Sequence, residues 1–369
     1  MAKRSALVIG AGISGYASAI ALLDAGMDVT IIGDAPKKPT RAMSLWKNGR
    51  EALRELGIEF NSVHPLDLVE VRSFAGDLLW TFPAGAWSGP GGACSVWHDD
   101  LLEALHNKLA SRAETLANRR LWRFTDDGSR VHAVLDDGTE CAATLLIGAD
   151  GLYSTVREQL LGPETPHDLG QVMVSSRAQS SSLTQEFTGP GRLLGPGRAF
   201  ACQSERARFI ATRLGDEISW MATYQIGDSL DVFDFAPRPV RELCTKGEKC
   251  GPFRLHDRPS ATTWTRGGVG LVGESAHPMT PELGQGACLS LEDAVFLEKS
   301  VKELGPRPGL AKYGRERRLR VDWISRLAHS MAVTSLPGKP RLALLRDRLL
   351  TLAAPPLARS VFDRLLAGP

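Results

Sequence analysis

Three short stretches carry residue types and spacings suited to chemistry on a bound nucleotide. The first, "ALVIGAGISGYASAIALLDAG", sets Gly10, Gly12 and Gly15 between an apolar run and a helical pattern. Glycine at the second position lets backbone approach a pyrophosphate, and at the third lets helix and strand pack closely. The helix opening at Ile13 and Ser14 offers free N–H groups and the positive end of a dipole. NAD and FAD use the same device, so this motif leaves both open. The second stretch, "GADGLYSTVR" (148–157), closes a buried run at Asp150-Gly151, which alone reads as a turn.

The third stretch, "GLVGESAHPMTPELGQGACLSLEDAVFLEKSV" (270–301), holds the strongest signal. A buried strand over 269–272 leads into a loop that delivers Gly284-Gln285-Gly286 to the start of a helix. Amide groups at such a start stabilise negative charge on a ligand. A reduced flavin carries that charge at its N1–C2=O edge. Nothing in the chain spells a catalytic triad, and Cys94, Cys141, Cys202, Cys244, Cys250 and Cys288 show no CxxC pair or His partner at metal spacing. Reduced thiols and no metal are expected.

The elements that must position these motifs are legible too. A chain of 369 residues suggests about two domains. At 43% hydrophobic, 23% charged and a net charge of +2, it has the make-up of a globular protein with no call for nucleic acid. No apolar run reaches the ~20 residues of a membrane span. "MAKRSALVIGAG" is broken by glycines and reads as a first strand in a cytoplasmic protein, in place of a signal peptide.

The expected class is α/β. A nucleotide-binding domain is expected from residues 1–75, 95–170 and 256–305, and a helical segment from 306–369. Residues 76–94 and 171–255 are expected to form an inserted antiparallel-sheet substrate domain, with strands either side of Gly215-Asp216. A helix covers "SLWKNGREALRELG" with Leu53 and Leu56 on one face, and a hairpin turns at Asp137-Gly138. "GRERRLRVDWISR" (314–326) has the spacing of a surface helix, and Pro337, Pro340, Pro355 and Pro356 should break the helical tail.

In order and spacing, the three motifs resemble those of single-component, group A flavin-dependent monooxygenases of the para-hydroxybenzoate hydroxylase fold. The resemblance covers most of the chain and is nearest the compact urate, hydroxynicotinate, salicylate and alkylquinolone hydroxylases. It implies a Rossmann-like FAD-binding domain, NADH or NADPH as electron donor, and O₂. The implied reaction hydroxylates or epoxidises a small aromatic, heteroaromatic or polyketide-like substrate through a C4a-hydroperoxyflavin, in a monomer or homodimer.

The same resemblance implies site roles. Pro281, Gly284, Gln285 and Gly286 would surround the reacting ring. Gly10, Gly12, Ile13, Ser14, Gly15, Asp34 and His98 would contact the cofactor, as would Asp150, Gly151, Arg157, Gly273, Glu274 and Leu283. Arg208, Trp220 and Tyr224 would face substrate, and His277 would support the loop.

Three positions depart from the family pattern. Gly33 stands where a ribose-binding Glu is usual, with Asp34 one place late, His98 replaces Arg, and Glu274 replaces Asp. Losing two charge-assisted bonds weakens binding by about 3–6 kcal/mol, turning a nanomolar site micromolar. Those departures motivate an alternative: a non-redox relative, serving as cyclase, isomerase or binding protein, with weak or no FAD. An NAD-dependent dehydrogenase leaves 148–157 and 270–288 unexplained.

Overall fold

The computed structural model describes residues 4–34, 41–89, 92–109 and 112–367. Strand Ser5–Ile9 is an apolar run buried on both faces, and it sits inside a six-stranded sheet. In spatial order that sheet runs Thr265–Arg266, Val269–Leu271, Leu145–Gly148, Ser5–Ile9, Asp28–Ile32 and Glu114–Leu116. All neighbours pair in parallel except the Thr265–Arg266 edge. Strand ends Ile9, Gly148 and Leu271 therefore lie side by side, so the loops after them open along one edge. Ligands of doubly wound sheets bind at that carboxyl edge. This topology gathers three motifs scattered over most of the chain.

Close approach explains two of the first motif's glycines. A Cβ on Gly10 would lie 2.3 Å from the Ala149 carbonyl oxygen, and one on Gly15 would lie 2.0 Å from that of Gly10. Neither leaves room for a methyl group.

The seven-stranded sheet orders as Lys249–Asp257, His167–Gln179, Glu217–Gln225, Ala207–Leu214, Arg198–Gln203, Leu68–Ser73 and Leu78–Phe82. It is antiparallel apart from Arg198–Gln203 with Leu68–Ser73. Leu68–Ser73, within the first block of the sequence reading, is thus hydrogen-bonded into this second sheet. Behind the sheet lies a separate core with Phe200, Phe209, Trp220, Phe233 and Val240 fully buried. The hairpin at Asp137-Gly138 joins Val131–Leu135 to Glu140–Ala143, and the Gly215-Asp216 turn joins the two strands expected there.

Helix Gly286–Leu304 packs on both Ile13–Asp24 and the long helix Pro306–Ser335. The tail breaks after Ser335, and helix Pro340–Leu366 follows. That last helix continues across Pro355 and Pro356, contrary to the expected break. A proline removes its own N–H bond and bends a helix without always ending it. Segment 314–326 also departs from expectation. It is helical, yet Arg317 is fully buried, because Glu292 and Asp293 of Gly286–Leu304 receive its guanidinium. All six cysteines are free. Among the described residues, no helix is long and apolar enough to cross a membrane.

Candidate functional site

Two helix openings meet at the carboxyl edge of the six-stranded sheet. Gly12 caps Ile13–Asp24 without a side-chain acceptor, and no acid occupies the first turn. Gln285 caps Gly286–Leu304 in the same bare manner. A Cβ built on Gly12 or Gly286 meets nothing within 4 Å among the described residues, so both openings face space that those residues leave open. Gly273 lies between them, since its Cβ would fall 2.5 Å from Ser14 Cβ and 3.0 Å from Ser290 Oγ. The exposed Glu274 carboxylate comes within 3.9 Å of where a Gly151 Cβ would stand, and it has no hydrogen-bond partner among the described residues. Unpaired amides, open backbone and a free carboxylate fit a pyrophosphate, a ring edge and a sugar-like hydroxyl chain.

The loop from Pro278 to Gly286 is held from behind. Thr280 Oγ1 donates to the Ala328 carbonyl at 3.1 Å. Ser275 Oγ donates to the Gly148 carbonyl at 2.5 Å. His277 Nε2 and the Gly273 amide both reach Asp293 Oδ2, at 2.7 and 2.9 Å. Burial pushes Asp293 up, but the His277 and Arg317 charges overcome it and hold the carboxyl below its usual range. Asn48 Nδ2 donates to Gln285 Oε1 at 2.9 Å and to Glu292 Oε1 at 2.7 Å. Gln285 Nε2 and Trp46 Nε1 stay buried without a partner among the described residues. Pro281 is exposed, whereas Leu283 is packed in the main core.

Two expected cofactor contacts hold protein instead. Arg157 is 2% exposed, and its guanidinium is spent on Glu164 and on the carbonyls of Pro259, Ser275 and Ala276. It positions the loop after Gly273. Asp34 Oδ1 accepts the Asn118 amide at 2.6 Å, so this carboxylate is committed to the neighbouring loop. Asp150 accepts Ser154 Oγ at 2.5 Å and the Val156 amide at 3.2 Å, while burial raises its carboxyl. His98 opens helix His98–Leu109 with its Nδ1 buried and without a partner among the described residues. Burial and the Arg41 charge push its imidazole down to about 4.

Strand register sorts the expected substrate residues. Arg208 pairs with Thr223, on the face where Ser219 Oγ accepts the Ala42 amide from the nucleotide half. Trp220 and Tyr224 alternate to the other face. Trp220 stacks on Phe209 at 5.5 Å and Tyr224 meets Phe233 edge-on at 6.4 Å, both inside the second core. Neither faces the nucleotide half, which corrects the sequence reading. The inward face carries Ser175, Ile210, Met221 and Thr223 beside Arg208. Arg208 Nη1 lies 2.7 Å from Glu282 Oε1, an ionic contact without hydrogen-bond alignment. Glu282, whose side chain is 1% exposed, was missed from sequence. An acid inside a Gly/Pro-rich loop was its only signal.

The FAD binding domain family matches residues 3–189 and 242–328. The chain is 27% identical to 2-heptyl-3-hydroxy-4(1H)-quinolone synthase of Pseudomonas aeruginosa, covering 98% of this chain and 97% of that protein. It is 26% identical to 6-hydroxynicotinate 3-monooxygenase of Pseudomonas fluorescens, covering 87% of this chain and 89% of that one. Its fold matches Klebsiella pneumoniae HpxO, solved with FAD and uric acid, with a TM-score of 0.86 and 23% identity over 99% of this chain and 97% of that one. With the family matching both halves of the nucleotide core, the chain belongs to the FAD-binding-domain family, as an FAD-dependent oxidoreductase of the monooxygenase group with the para-hydroxybenzoate hydroxylase fold.

Proposed function

We propose that this protein uses NADH or NADPH and O₂ to hydroxylate or epoxidise a small aromatic, heteroaromatic or polyketide-like molecule. The observation that carries this reading is the bare opening of Gly286–Leu304, which faces open space beside the Arg208–Glu282 pair. FAD, when bound, accepts hydride and activates O₂. The protein supplies binding, orientation and a protected pocket.

Gly12, Ile13 and Ser14 would hold the pyrophosphate with backbone amides, and Glu274 would take hydroxyls of the linking chain. Amides from Gly284 to Gly286 would face the electron-rich ring edge and stabilise its charge, with Pro281 alongside. Arg208 would orient a polar substituent, while Ile210 and Met221 bound an apolar slot. The relatives' names fit that chemistry: one makes a hydroxyquinolone and another hydroxylates hydroxynicotinate. Gly33 lacks a side chain and Asp34 is engaged by Asn118, so the adenosine ribose gains no carboxylate. We expect micromolar FAD affinity.

The test is FAD titration of the purified chain, followed by NADH and NADPH consumption with phenols, quinolones and purines under ¹⁸O₂. Stimulated consumption with ¹⁸O in the product supports the proposal. A chain that binds FAD yet never transfers oxygen to any of these classes would overturn it.

A further inference from the structure

His167, Asp257 and His329 come from three separate elements and converge at one end of the seven-stranded sheet. His167 and Asp257 are register partners across antiparallel strands, so their side chains leave the same face. His329 approaches from Pro306–Ser335. Its Nδ1 lies 2.7 Å from Asp257 Oδ2, and His167 Nδ1 lies 3.4 Å from Asp257 Oδ1. One ligand atom from each of the three residues lies within 4.8 Å of the other two.

Asp257 is only 3% exposed, and its Oδ1 is buried without a hydrogen-bond partner among the described residues. A buried carboxylate oxygen left unsatisfied between two imidazoles is a site that a cation would complete. Two arginines flanking Asp257 in sequence are engaged elsewhere: Arg254 pairs with Asp168 at 2.9 Å, and Arg258 points to Glu164 at 3.9 Å. A cavity of about 290 Å³ is lined by His167, Gln171 and His329 among others.

We propose that His167, Asp257 and His329 bind a borderline divalent cation of the zinc class. Two imidazoles and one carboxylate suit zinc and its neighbours, whereas magnesium and calcium demand oxygen donors. Water would complete the coordination. The site adjoins the loop that precedes Pro281. The Arg258 amide donates to the Pro278 carbonyl at 3.4 Å, and the Ala328 carbonyl accepts from Thr280 Oγ1. A bound cation would tie the two strands and the long helix together directly behind that loop. Sequence spacing concealed the cluster, because its members lie far apart in the chain.

The experiment is zinc titration of the tag-free, FAD-loaded full chain against a chromophoric chelator, with magnesium in parallel. One equivalent of zinc should bind and raise the melting temperature. His167→Ala and His329→Ala alter exposed or half-exposed side chains and should each weaken binding about tenfold or more. His256→Ala, a nearby histidine outside the cluster, should leave binding unchanged. Substoichiometric zinc, or zinc affinity unmoved by both His→Ala variants, would overturn the site. Magnesium binding as tight as zinc would overturn the cation class.

Discussion

Arg208 and Glu282 form an ion pair 2.7 Å apart that joins the inward face of the seven-stranded sheet to the loop ending at Gly286. The pair bridges the nucleotide half and the wall opposite it. Arg208→Gln strands a buried carboxylate and should cost about 2–3 kcal/mol of stability, with Arg208→Gln/Glu282→Gln recovering most of it. Urea melts of both variants measure this. Substrate-stimulated NAD(P)H consumption should fall about tenfold or more in both, while FAD affinity holds.

The first motif separates ligand approach from packing. Gly12→Ala points a methyl group into open space, so the melting temperature of the FAD-free chain should not change. Its FAD affinity should drop about tenfold or more, because the methyl fills the approach to the backbone. Gly15→Ala places a Cβ 2.0 Å from the Gly10 carbonyl oxygen and should instead destabilise the fold by about 2–3 kcal/mol. Equal effects of the two substitutions on stability would contradict this division.

His98 makes stability depend on pH. Its imidazole, pushed down to about 4, titrates near 6.5 once unfolded. As pH falls from 6.5 toward 4, the unfolded chain takes up a proton that the folded chain refuses. The stabilising contribution is therefore complete above 6.5 and is lost on acidification, by at most about 3 kcal/mol. His98→Gln should remove this loss, which FAD-free urea melts at about pH 7.5 and about pH 5 would detect as a smaller difference than in the parent.

Helix Lys47–Glu55 packs on Gly286–Leu304 through Gly49 and Cys288. A Cβ on Gly49 would lie 2.6 Å from Cys288 Sγ. Gly49→Ala should therefore destabilise by about 1–3 kcal/mol despite the better helix former. Adding Cys288→Ala should restore most of the loss, giving a coupling of about 1 kcal/mol or more. Burial pushes the Cys288 thiol up to about 12, so alkylating reagents should spare it in the folded chain.

The nucleotide half was readable because each motif combines a buried strand with a glycine constraint, and parallel pairing then brings the strand ends together. The outer sheet was less so. In "EISWMATYQ" a period of two sets apolar Ile218, Trp220, Ala222 and Tyr224 against the mostly polar face of Glu217, Ser219, Met221, Thr223 and Gln225, and sequence alone does not say which face meets the cofactor. Trp220 and Tyr224 look like aromatic contacts for a flat substrate, yet Phe209 and Phe233 claim them for the second core. Arg317 misled for a related reason: its helix carries the charge pattern of a solvent face, and the carboxylates that bury it belong to the preceding helix. Asp34 and Arg157 were read by type and position, while Asn118 and three carbonyls that partner them come from distant loops and Glu164 folds back from just beyond the helix that carries Arg157.

The last helix contributes to the wall beside the nucleotide half. Phe362 sits 4.4 Å from Phe82 and 5.5 Å from Trp46, and the Leu365 carbonyl accepts from Arg320. During synthesis, Trp46, Phe82 and Trp87 therefore emerge long before the ring that packs against them. Until Phe362 clears the ribosome, those three rings lack this neighbour.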